Sequence, residues 1–388
     1  MSGRILVVDD NAVNQQLLVS ILSRAGHAAL GVSSGKGALA AVGSYAPDLV
    51  LLDVMMPEMS GHDVCEALKA DPATRELPVI FLSALGEPRD KVRGLDMGAA
   101  DYITKPYKAA EVLARVRLQL RLRLLHSELE RRNADLREKQ EQLERDLRAA
   151  AEIQRAFIPR PGTTIAGLQM SWLFVPCETL GGDSFNVLRL GSNRVGLYML
   201  DVSGHGVPAA MLSIAVCERL SVSGGIVAGP EGELRAPNDV LDALQREFPF
   251  DRFERYVTLT YLALDVESGA LRYSSAGHPP PLLLRADGEL ATLDAGGPVI
   301  GAGLGDFEME DVRLGRGDRL FLYTDGLLDL EGPGGRLGSS ALGTLVASGR
   351  SAPLADTCGA LRQTLEEHSR FAPIGDDVSV LAIEFDGA

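Results

Sequence analysis

The sequence lacks the features of several protein classes. Its four cysteines are scattered without any C-x-x-C spacing, which argues against a zinc site and against a disulfide framework. No stretch approaches the roughly 20 apolar residues that span a bilayer. Residues 1–4 lead directly into a strand-like segment and not into the apolar core of a signal peptide. We therefore expect a cytoplasmic protein without a membrane segment.

Positive charge is also scarce. The chain has 38 Lys and Arg against 53 Asp and Glu, which gives a formal net charge of −15. Affinity for nucleic-acid phosphates comes from Lys and Arg, so we expect no nucleic-acid partner. The acidic balance favours protein partners or bound cations. A length of 388 residues predicts two domains and a connector.

Residues 1–121 alternate short apolar runs with amphipathic stretches. The apolar runs are Ile5–Val8, Leu49–Leu52, Val79–Leu82 and Tyr102–Ile103. Continuous apolar runs are typical of strands covered on both faces, which predicts a parallel α/β sheet. Polar residues follow these runs, and the ligand site of an open α/β sheet lies beyond the carboxyl ends of its strands. We expect these polar residues to converge.

The polar residues at the strand ends supply the groups that phosphoryl transfer to a carboxylate requires. Asp9 and Asp10 can hold Mg²⁺, which prefers carboxylates and water. Asp53 can act as the nucleophile, Ser83 can hydrogen-bond a phosphate oxygen, and Lys105 can supply positive charge. Each residue alone is more typical of a cap or a turn. The ordered set is much harder to obtain by chance.

This segment resembles the receiver domains of two-component response regulators through four motifs, which are Asp9-Asp10, Asp53, Ser83-Ala84 and Lys105-Pro106. The resemblance implies a flavodoxin-like, doubly wound parallel sheet. It implies that Asp53 accepts a phosphoryl group from a sensor histidine kinase or a phosphotransfer protein. The implied Mg²⁺ ligands are Asp9, Asp10 and the Met55 carbonyl, and the implied switch residues are Ser83, Tyr102 and Lys105.

Residues 122–158 follow a different period. Apolar residues recur every seven positions, at Leu122, Leu129, Leu136, Leu143, Ala150 and Phe157. Leu125 and Ile153 occupy the companion position. This spacing predicts a helical linker with a seam of about five heptads, long enough to form a homodimeric coiled coil. The polar companion residues Arg132, Lys139 and Asp146 leave a single solvated helix as the alternative.

From residue 159 to residue 388 the sequence is rich in candidate strands separated by Gly and Pro, with helices between them. This pattern predicts an α+β or layered sandwich domain. Acidic residues beside glycine or within three residues of it occur at four places, which are Asp183, Asp201, Asp325 and the pair Asp376-Asp377. Carboxylates beside glycine can surround hard cations without side-chain obstruction. A two-metal site of this kind can activate water for attack on a phosphate ester.

The four acidic motifs resemble, in order, those of bacterial PPM-type (type 2C) serine/threonine phosphatases of the sporulation and stress-response kind. Ile153-Gln154, Ile158-Pro159 and Ala276-Gly-His-Pro-Pro280 also match, so the resemblance covers roughly residues 152–385. It implies a β-sandwich flanked by helices that binds two Mn²⁺ or Mg²⁺ ions. The implied ligands are Asp183, Asp201, the Val202 carbonyl, Asp325, Asp376 and Asp377, although either acid of the last pair could face the metals.

The two resemblances together predict a response regulator in which phosphorylation of Asp53 controls a phosphatase. The implied substrate is a phosphorylated anti-anti-sigma (STAS-type) protein in a partner-switching pathway. Asn186 departs from the family, which often has a second acid there, and an uncharged amide could reduce the affinity for an outer metal. This departure motivates an alternative: a catalytically inactive phosphatase fold that binds a partner when the receiver is phosphorylated.

Overall fold

The computed structural model describes residues 2–83, 96–160, 163, 165, 167–223, 225–229, 233–332 and 335–387. The chain forms two compact units, Met1–Gln140 and Glu141–Ala388. Within the described residues, none of the helices combines the length and the apolar character that crossing a bilayer would require.

The first unit contains a five-stranded parallel sheet with the strand order β2-β1-β3-β4-β5. The strands are β1 (Arg4–Val8), β2 (Ala28–Val32), β3 (Leu49–Asp53), β4 (Val79–Ser83) and β5 (Asp101–Thr104). Three helices connect them, which are α1 (Ala12–Arg24), α2 (Gly35–Tyr45) and α3 (Gly61–Ala70). Alternate residues of each central strand pack into separate cores on the two faces of the sheet. The predicted doubly wound parallel sheet is confirmed.

A single helix, α4 (Ala109–Arg155), runs for 47 residues, or about 70 Å. Its first turns bury Val112, Val116 and Leu120 in the core of the first unit. The heptad leucines that follow are about half exposed or more, from 50% at Leu122 to 63% at Leu136. The helix therefore begins well before the predicted linker and presents an apolar seam.

Helix α4 also ends earlier than the heptad pattern predicts. It stops at Arg155, and residues 156–158 form a turn. Phe157, predicted as the last heptad position, lies in this turn and packs against the core of the second unit. The heptad spacing therefore extends two residues beyond the helix. Phe157 and the buried Ile158 are apolar because they pack into the cores of the second unit and not because they continue the helical seam.

The second unit contains two main sheets and a small hairpin. One sheet has the order β13-β10-β9-β8-β7, with β14 paired to β10, and the other has the order β12-β11-β15-β18-β6. The strands of the first are β7 (Ser184–Leu190), β8 (Arg194–Val202), β9 (Val257–Asp265), β10 (Ala270–Ala276), β13 (Gly296–Gly297) and β14 (Glu310–Arg313). Those of the second are β6 (Leu168–Val175), β11 (Leu282–Leu284), β12 (Leu290–Thr292), β15 (Arg319–Tyr323) and β18 (Val378–Phe385). The hairpin joins β16 (Glu331–Gly332) and β17 (Gly335–Arg336).

The two main sheets pack face to face, and helices cover their outer surfaces. The helices are α5 (Val207–Leu220), α6 (Pro237–Glu247), α7 (Phe250–Phe253), α8 (Asp325–Leu328), α9 (Gly338–Ser348) and α10 (Leu354–Ser369). One core lies between the sheets and joins side chains such as Phe185, Leu262 and Leu322. A second core joins α5 and α6 to the first sheet, and a third joins α9 and α10 to the second. This arrangement confirms the predicted β-sandwich flanked by helices.

Candidate metal centres

Three carboxylates meet at the carboxyl edge of the parallel sheet. Ligand oxygens of Asp9, Asp10 and Asp53 lie within 4.8 Å of one another, and among the described residues this is the one such group of three or more possible ligands. Asp9 and Asp53 are almost completely buried. Lys105 Nζ lies 3.0 Å from Asp9 Oδ2 and 2.7 Å from Asp53 Oδ2. The strand-end polar residues therefore converge as expected.

Burial dominates the electrostatics of this edge. Burial raises the pKa of Asp53, although the hydrogen bond from Lys105 acts in the opposite direction. Burial also opposes the charge on Lys105, but its hydrogen bonds to Asp53 and Asp9 raise its pKa overall. Three clustered carboxylates, balanced only in part by the ammonium group of Lys105, fit the carboxylate-and-water coordination that Mg²⁺ prefers. The donor set therefore suits a divalent cation.

Of the other predicted receiver residues, Met55 contacts the cluster directly. The Met55 backbone N–H donates to Asp53 Oδ1 at 3.4 Å. Ser83 ends β4, and its buried Oγ has no hydrogen-bond partner among the described residues. The Arg115 guanidinium lies 5.4 Å from the centre of the Tyr102 ring. Ala84, the second residue of its motif, lies outside the described residues.

Sequence reasoning missed Tyr107, whose hydroxyl donates to Asp9 Oδ2 at 3.1 Å. Burial and the charge of Asp9 raise the pKa of the Tyr107 phenol, so Tyr107 remains a neutral donor at neutral pH. Its position two residues after Lys105 was the available signal.

In the second unit, the predicted acids gather where the two sheets meet. Asp183 immediately precedes β7 and Asp201 lies near the end of β8, while Asp325 follows β15 and Asp376-Asp377 precede β18. Hydrogen bonds across the sandwich join these segments. Asp183 Oδ2 accepts from Thr324 Oγ1 at 2.8 Å and from Ser379 Oγ at 2.6 Å. Sequence reasoning missed both hydroxyls.

The adjacent acids Asp376 and Asp377 have different surroundings. Asp377 is 2% exposed, and its carboxylate accepts from the backbone N–H groups of Cys177, Gly182 and Asp183 at 2.8, 2.6 and 3.4 Å. The Asp377 carboxylate therefore stabilises the loop that carries Asp183. Asp376 is exposed, and its charge interacts with Asp325 and with Asp201.

Mutual repulsion among these acids alters their protonation. Burial and the charges of Asp325, Asp376 and Asp377 raise the pKa of Asp201 to about 7. Burial, followed by Asp201 and Asp377, raises the pKa of Asp183 well above its ordinary value. Buried carboxylates that repel one another are the donor set that a hard cation would neutralise. The residues therefore fit divalent metals, although they are less tightly grouped than the receiver acids.

Glycine permits the close approach of the segments. A Cβ on Gly182 would lie 2.5 Å from the Val202 carbonyl oxygen and 3.3 Å from Asp201 Oδ1. A Cβ on Gly326 would lie 2.0 Å from the Asp377 carbonyl oxygen. Any larger residue at either position would force the acid-bearing segments apart.

The end of α4 contacts the loop that carries Asp183. The buried Gln154 Nε2 donates to the Gly181 carbonyl at 2.6 Å, and its Oε1 accepts from the Gly181 N–H at 3.4 Å. Asn186 Nδ2 donates to the Phe157 carbonyl at 2.7 Å. The amide that departs from the family pattern thus holds the end of the linker.

Comparison with known families follows the division of the chain. A model described as Stage II sporulation protein E (SpoIIE) matches residues 191–386, just over half of the 388 residues. The chain belongs to the SpoIIE family. A response regulator receiver domain model matches residues 5–117. The SpoIIE match includes Asp201, Asp325 and Asp376 and begins after Asp183.

Solved structures support the fold of this SpoIIE family member. The SiaA-PP2C domain of Pseudomonas aeruginosa has a TM-score of 0.56 at 23% identity, and the match covers 64% of this chain and 99% of that domain. The SpoIIE phosphatase structure from Bacillus subtilis has a TM-score of 0.50 at 17% identity, covering 57% of this chain and 64% of that one. Both are PP2C structures, so the SpoIIE family member combines a receiver domain with a domain of the PP2C fold.

Curated relatives match a smaller part of the chain. The response regulator PleD of Caulobacter vibrioides is 44% identical over 134 residues, which are 34% of this chain and 30% of PleD. The DNA-binding response regulator MtrA of Mycobacterium tuberculosis is 46% identical over 121 residues, 31% of this chain and 52% of MtrA. The chain thus spans about a third to a half of the length of these relatives.

Proposed function

We propose that this chain is a response regulator in which phosphorylation of Asp53 controls a metal-dependent phosphoserine/phosphothreonine phosphatase. The observation that carries the phosphatase proposal is the gathering of Asp183, Asp201, Asp325 and Asp376 at one junction of the sandwich. Burial, with repulsion from neighbouring carboxylates, raises the pKa values of Asp183, Asp201 and Asp376, and bound cations would relieve that repulsion.

In the phosphatase domain, we assign the metal-facing oxygens to Asp183, Asp201, the Val202 carbonyl, Asp325 and Asp376. Two Mn²⁺ or Mg²⁺ ions held there would supply an activated water and neutralise charge on a phosphate ester. Asp377 would support the site indirectly, by holding the loop that carries Asp183, because its carboxylate accepts hydrogen bonds from three backbone N–H groups. Thr324 and Ser379 orient Asp183.

His205 is the nearest candidate for moving a proton. It follows Gly204 on the loop after β8 and interacts electrostatically with Asp376, which places the imidazole beside the acidic cluster. Glu178 Oε1 lies 2.9 Å from its Nδ1 and orients the ring. An imidazole so placed can protonate the departing serine or threonine oxygen.

In the receiver domain, we assign Asp53 as the phosphoacceptor. Asp9, Asp10 and the Met55 carbonyl would hold Mg²⁺, and Lys105 already contacts the carboxylate. The Ser83 hydroxyl, for which the described residues supply no hydrogen-bond partner, can donate to a phosphoryl oxygen. A sensor histidine kinase or phosphotransfer protein would be the phosphodonor. Ser83 and Tyr102 would then act as the switch.

The substrate we propose is a phosphorylated anti-anti-sigma (STAS-type) protein in a partner-switching pathway. Membership of the SpoIIE family supports this choice. The exposed heptad leucines of α4 support a homodimeric coiled coil between the two domains.

Metal-dependent hydrolysis of p-nitrophenyl phosphate by the full chain tests the phosphatase proposal. We expect turnover with Mn²⁺ that chelation abolishes and that Asp201→Ala reduces by at least about a hundredfold. Turnover that is absent, or unchanged in Asp201→Ala, would favour the inactive adaptor. Phosphoprotein analysis of cells lacking the protein identifies the substrate, since its phosphoserine should accumulate.

A further inference from the structure

A groove of about 920 Å³ opens beside Asp325 on the second unit. One wall is formed by strands β11 and β12 through Leu282, Leu290 and Thr292, and the opposite wall by α9 through Ser340 and Thr344. The loop 277–280 lies between them. Because Asp325 is shared, the groove is continuous with the proposed metal centre.

The groove is almost without charge. Of its fifteen lining residues, Asp325 alone has an acidic or strongly basic side chain, and the others, apart from His278, are small, apolar or hydroxyl-bearing. His278 is neutral, because burial lowers its pKa to about 3. This surface contrasts with a net charge of −15 for the whole chain.

The pocket on the other side of the Asp325-Gly326 turn has the opposite character. Its volume is about 460 Å³, and its lining includes Asp329, Glu331, Arg336 and His368 together with Asp376. The proposed centre is therefore bordered by charged residues on one side and by an uncharged groove on the other. A substrate segment crossing the centre would meet two different environments.

The Ala276–Pro280 motif connects the groove to the metal-bearing strands. His278 is 6% exposed, and its Nδ1 lies 2.8 Å from Thr258 Oγ1. Thr258 is the residue of β9 that pairs with Asp201 of β8. The loop that shapes the groove is thus fixed to the strand pair that positions Asp201, and this accounts for a motif without a role in the metal chemistry.

We propose that this groove binds the uncharged segment of the substrate protein that flanks its phosphoserine or phosphothreonine. The inference rests on the proposed phosphatase function and adds the chemistry by which that site selects substrate. A charged flank would lose its hydration against a wall that offers no counter-charge, which is costly. Small-molecule sites use a few converging polar groups. The hydroxyl-bearing residues here are instead spread over β12, β15 and α9, which favours an extended peptide segment.

The test compares hydrolysis of synthetic phosphoserine peptides by the full chain with Mn²⁺. Three peptides differ in the three residues on either side of phosphoserine. The first has Leu, Val and Ala at these positions, the second has only Lys, and the third has only Glu. We expect kcat/KM to be at least about tenfold higher for the uncharged peptide than for either charged one. p-Nitrophenyl phosphate, which has no flanking residues, serves as the reference substrate.

A matched pair of variants locates the selectivity. Thr344 lines the groove and is exposed, whereas Ala341 is exposed on the same helix and does not line it. Thr344→Lys should lower kcat/KM for the uncharged peptide by at least about fivefold and favour the Glu peptide over the Lys peptide. Ala341→Lys should change neither ratio. Ala341→Lys should also hydrolyse p-nitrophenyl phosphate at the wild-type rate.

Several outcomes would overturn the inference. Equal hydrolysis of the three peptides, or turnover of p-nitrophenyl phosphate without turnover of any peptide, would rule out a groove that selects flanking residues. A change in sedimentation of Thr344→Lys without a change in peptide selectivity would assign the groove to a second copy of the chain. Failure of the proposed function itself is distinguishable, because all metal-dependent turnover would then be missing.

Discussion

Asp183 and Asp377 are both buried, yet their carboxylates are satisfied in different ways. Two hydroxyls donate to one oxygen of Asp183, while three backbone N–H groups donate to Asp377. Hydrogen bonds to backbone stabilise the ionised form of a carboxylate. Asp377 therefore has a structural role in holding the loop of Asp183, whereas Asp183 is repelled by Asp201 and Asp377 and a bound cation would relieve this repulsion.

Substitution of the adjacent pair should separate these roles. Asp377→Asn replaces an acceptor with an amide that cannot satisfy the same N–H groups, so we expect it to lose about 1–3 kcal/mol of stability. Asp376→Asn, at an exposed position, should leave thermal stability of the metal-free protein unchanged or higher while weakening Mn²⁺ binding. Calorimetry and Mn²⁺ titration provide the two measurements. Equal effects of the two substitutions on stability would contradict the assignment.

Metal binding should depend on pH through Asp201. Its pKa in the folded metal-free protein is raised from 3.8 to about 7, so protons compete with Mn²⁺ and the apparent affinity should rise from pH 6 to pH 8. The stability of the metal-free protein has the opposite trend. Because the pKa of Asp201 is higher in the folded than in the unfolded protein, protonation of Asp201 stabilises the fold. This stabilisation is complete below the unfolded-state pKa, near 3.8, and is lost as the pH rises through about 7.

Thermal unfolding with and without Mn²⁺ measures both trends. Added Mn²⁺ should raise the melting temperature more at pH 8 than at pH 6, and Asp201→Asn should flatten the difference. A stabilisation by Mn²⁺ that is independent of pH would show that the acids titrate elsewhere.

At the scale of elements, long apolar runs were predictable and tertiary contacts were not. The bounds of β15 and β18 coincide with the runs visible in the sequence. Strand β2 was missed because it is a partly exposed edge strand whose sequence, AALGV, consists mostly of small residues. The acids of the second unit lie at or near strand ends, close to glycine in the sequence, and were found. Thr324, Ser379 and Gln154 were assigned no role, because their importance comes only from segments that folding brings beside them.

Gln154 connects α4 to the loop of Asp183. Gln154→Leu keeps a similar volume but leaves the buried Gly181 groups without their partner, so we expect lower thermal stability and Mn²⁺ affinity reduced by several-fold. Glu152→Leu, exposed two residues earlier, is the matched control. The prediction fails if the Gln154 and Glu152 variants bind Mn²⁺ alike.

The exposed seam of α4 gives a prediction about assembly. If the leucines form a coiled coil, Leu136→Lys with Leu143→Lys should convert a dimer to a monomer, because two charges would enter an apolar interface. Ala134→Lys with Glu141→Lys, on the outer side of the heptad, should leave the dimer intact. Sedimentation velocity over a range of concentrations is the measurement. A wild-type chain that is monomeric throughout would remove the coiled-coil proposal.

Considered as a whole molecule, the chain contains two acid clusters with different electrostatic balance. Lys105 partly neutralises the receiver cluster through contacts with Asp9 and Asp53. In the phosphatase domain, the causes that shift the pKa of Asp201 beside burial are mainly other carboxylates. The receiver cluster is thus suited to respond to one added phosphoryl group, and the phosphatase cluster to require added cations. One continuous helix, α4, belongs to both units.

Loading Asp53 should therefore change the rate at which the phosphatase domain works. Phosphorylation adds negative charge and acceptor oxygens where Lys105 now bonds Asp53, so the Lys105 contacts must rearrange. Coupling between sites is typically worth about 1–3 kcal/mol, which predicts a change in kcat/KM of about 5- to 150-fold on a phosphoserine peptide when acetyl phosphate and Mg²⁺ are added. Asp53→Asn should remove this response while retaining the basal rate. Identical rates for the phosphorylated wild type and for Asp53→Asn would show that the receiver does not control the phosphatase. Loss of basal activity in Asp53→Asn would indicate a folding defect, which circular dichroism can identify.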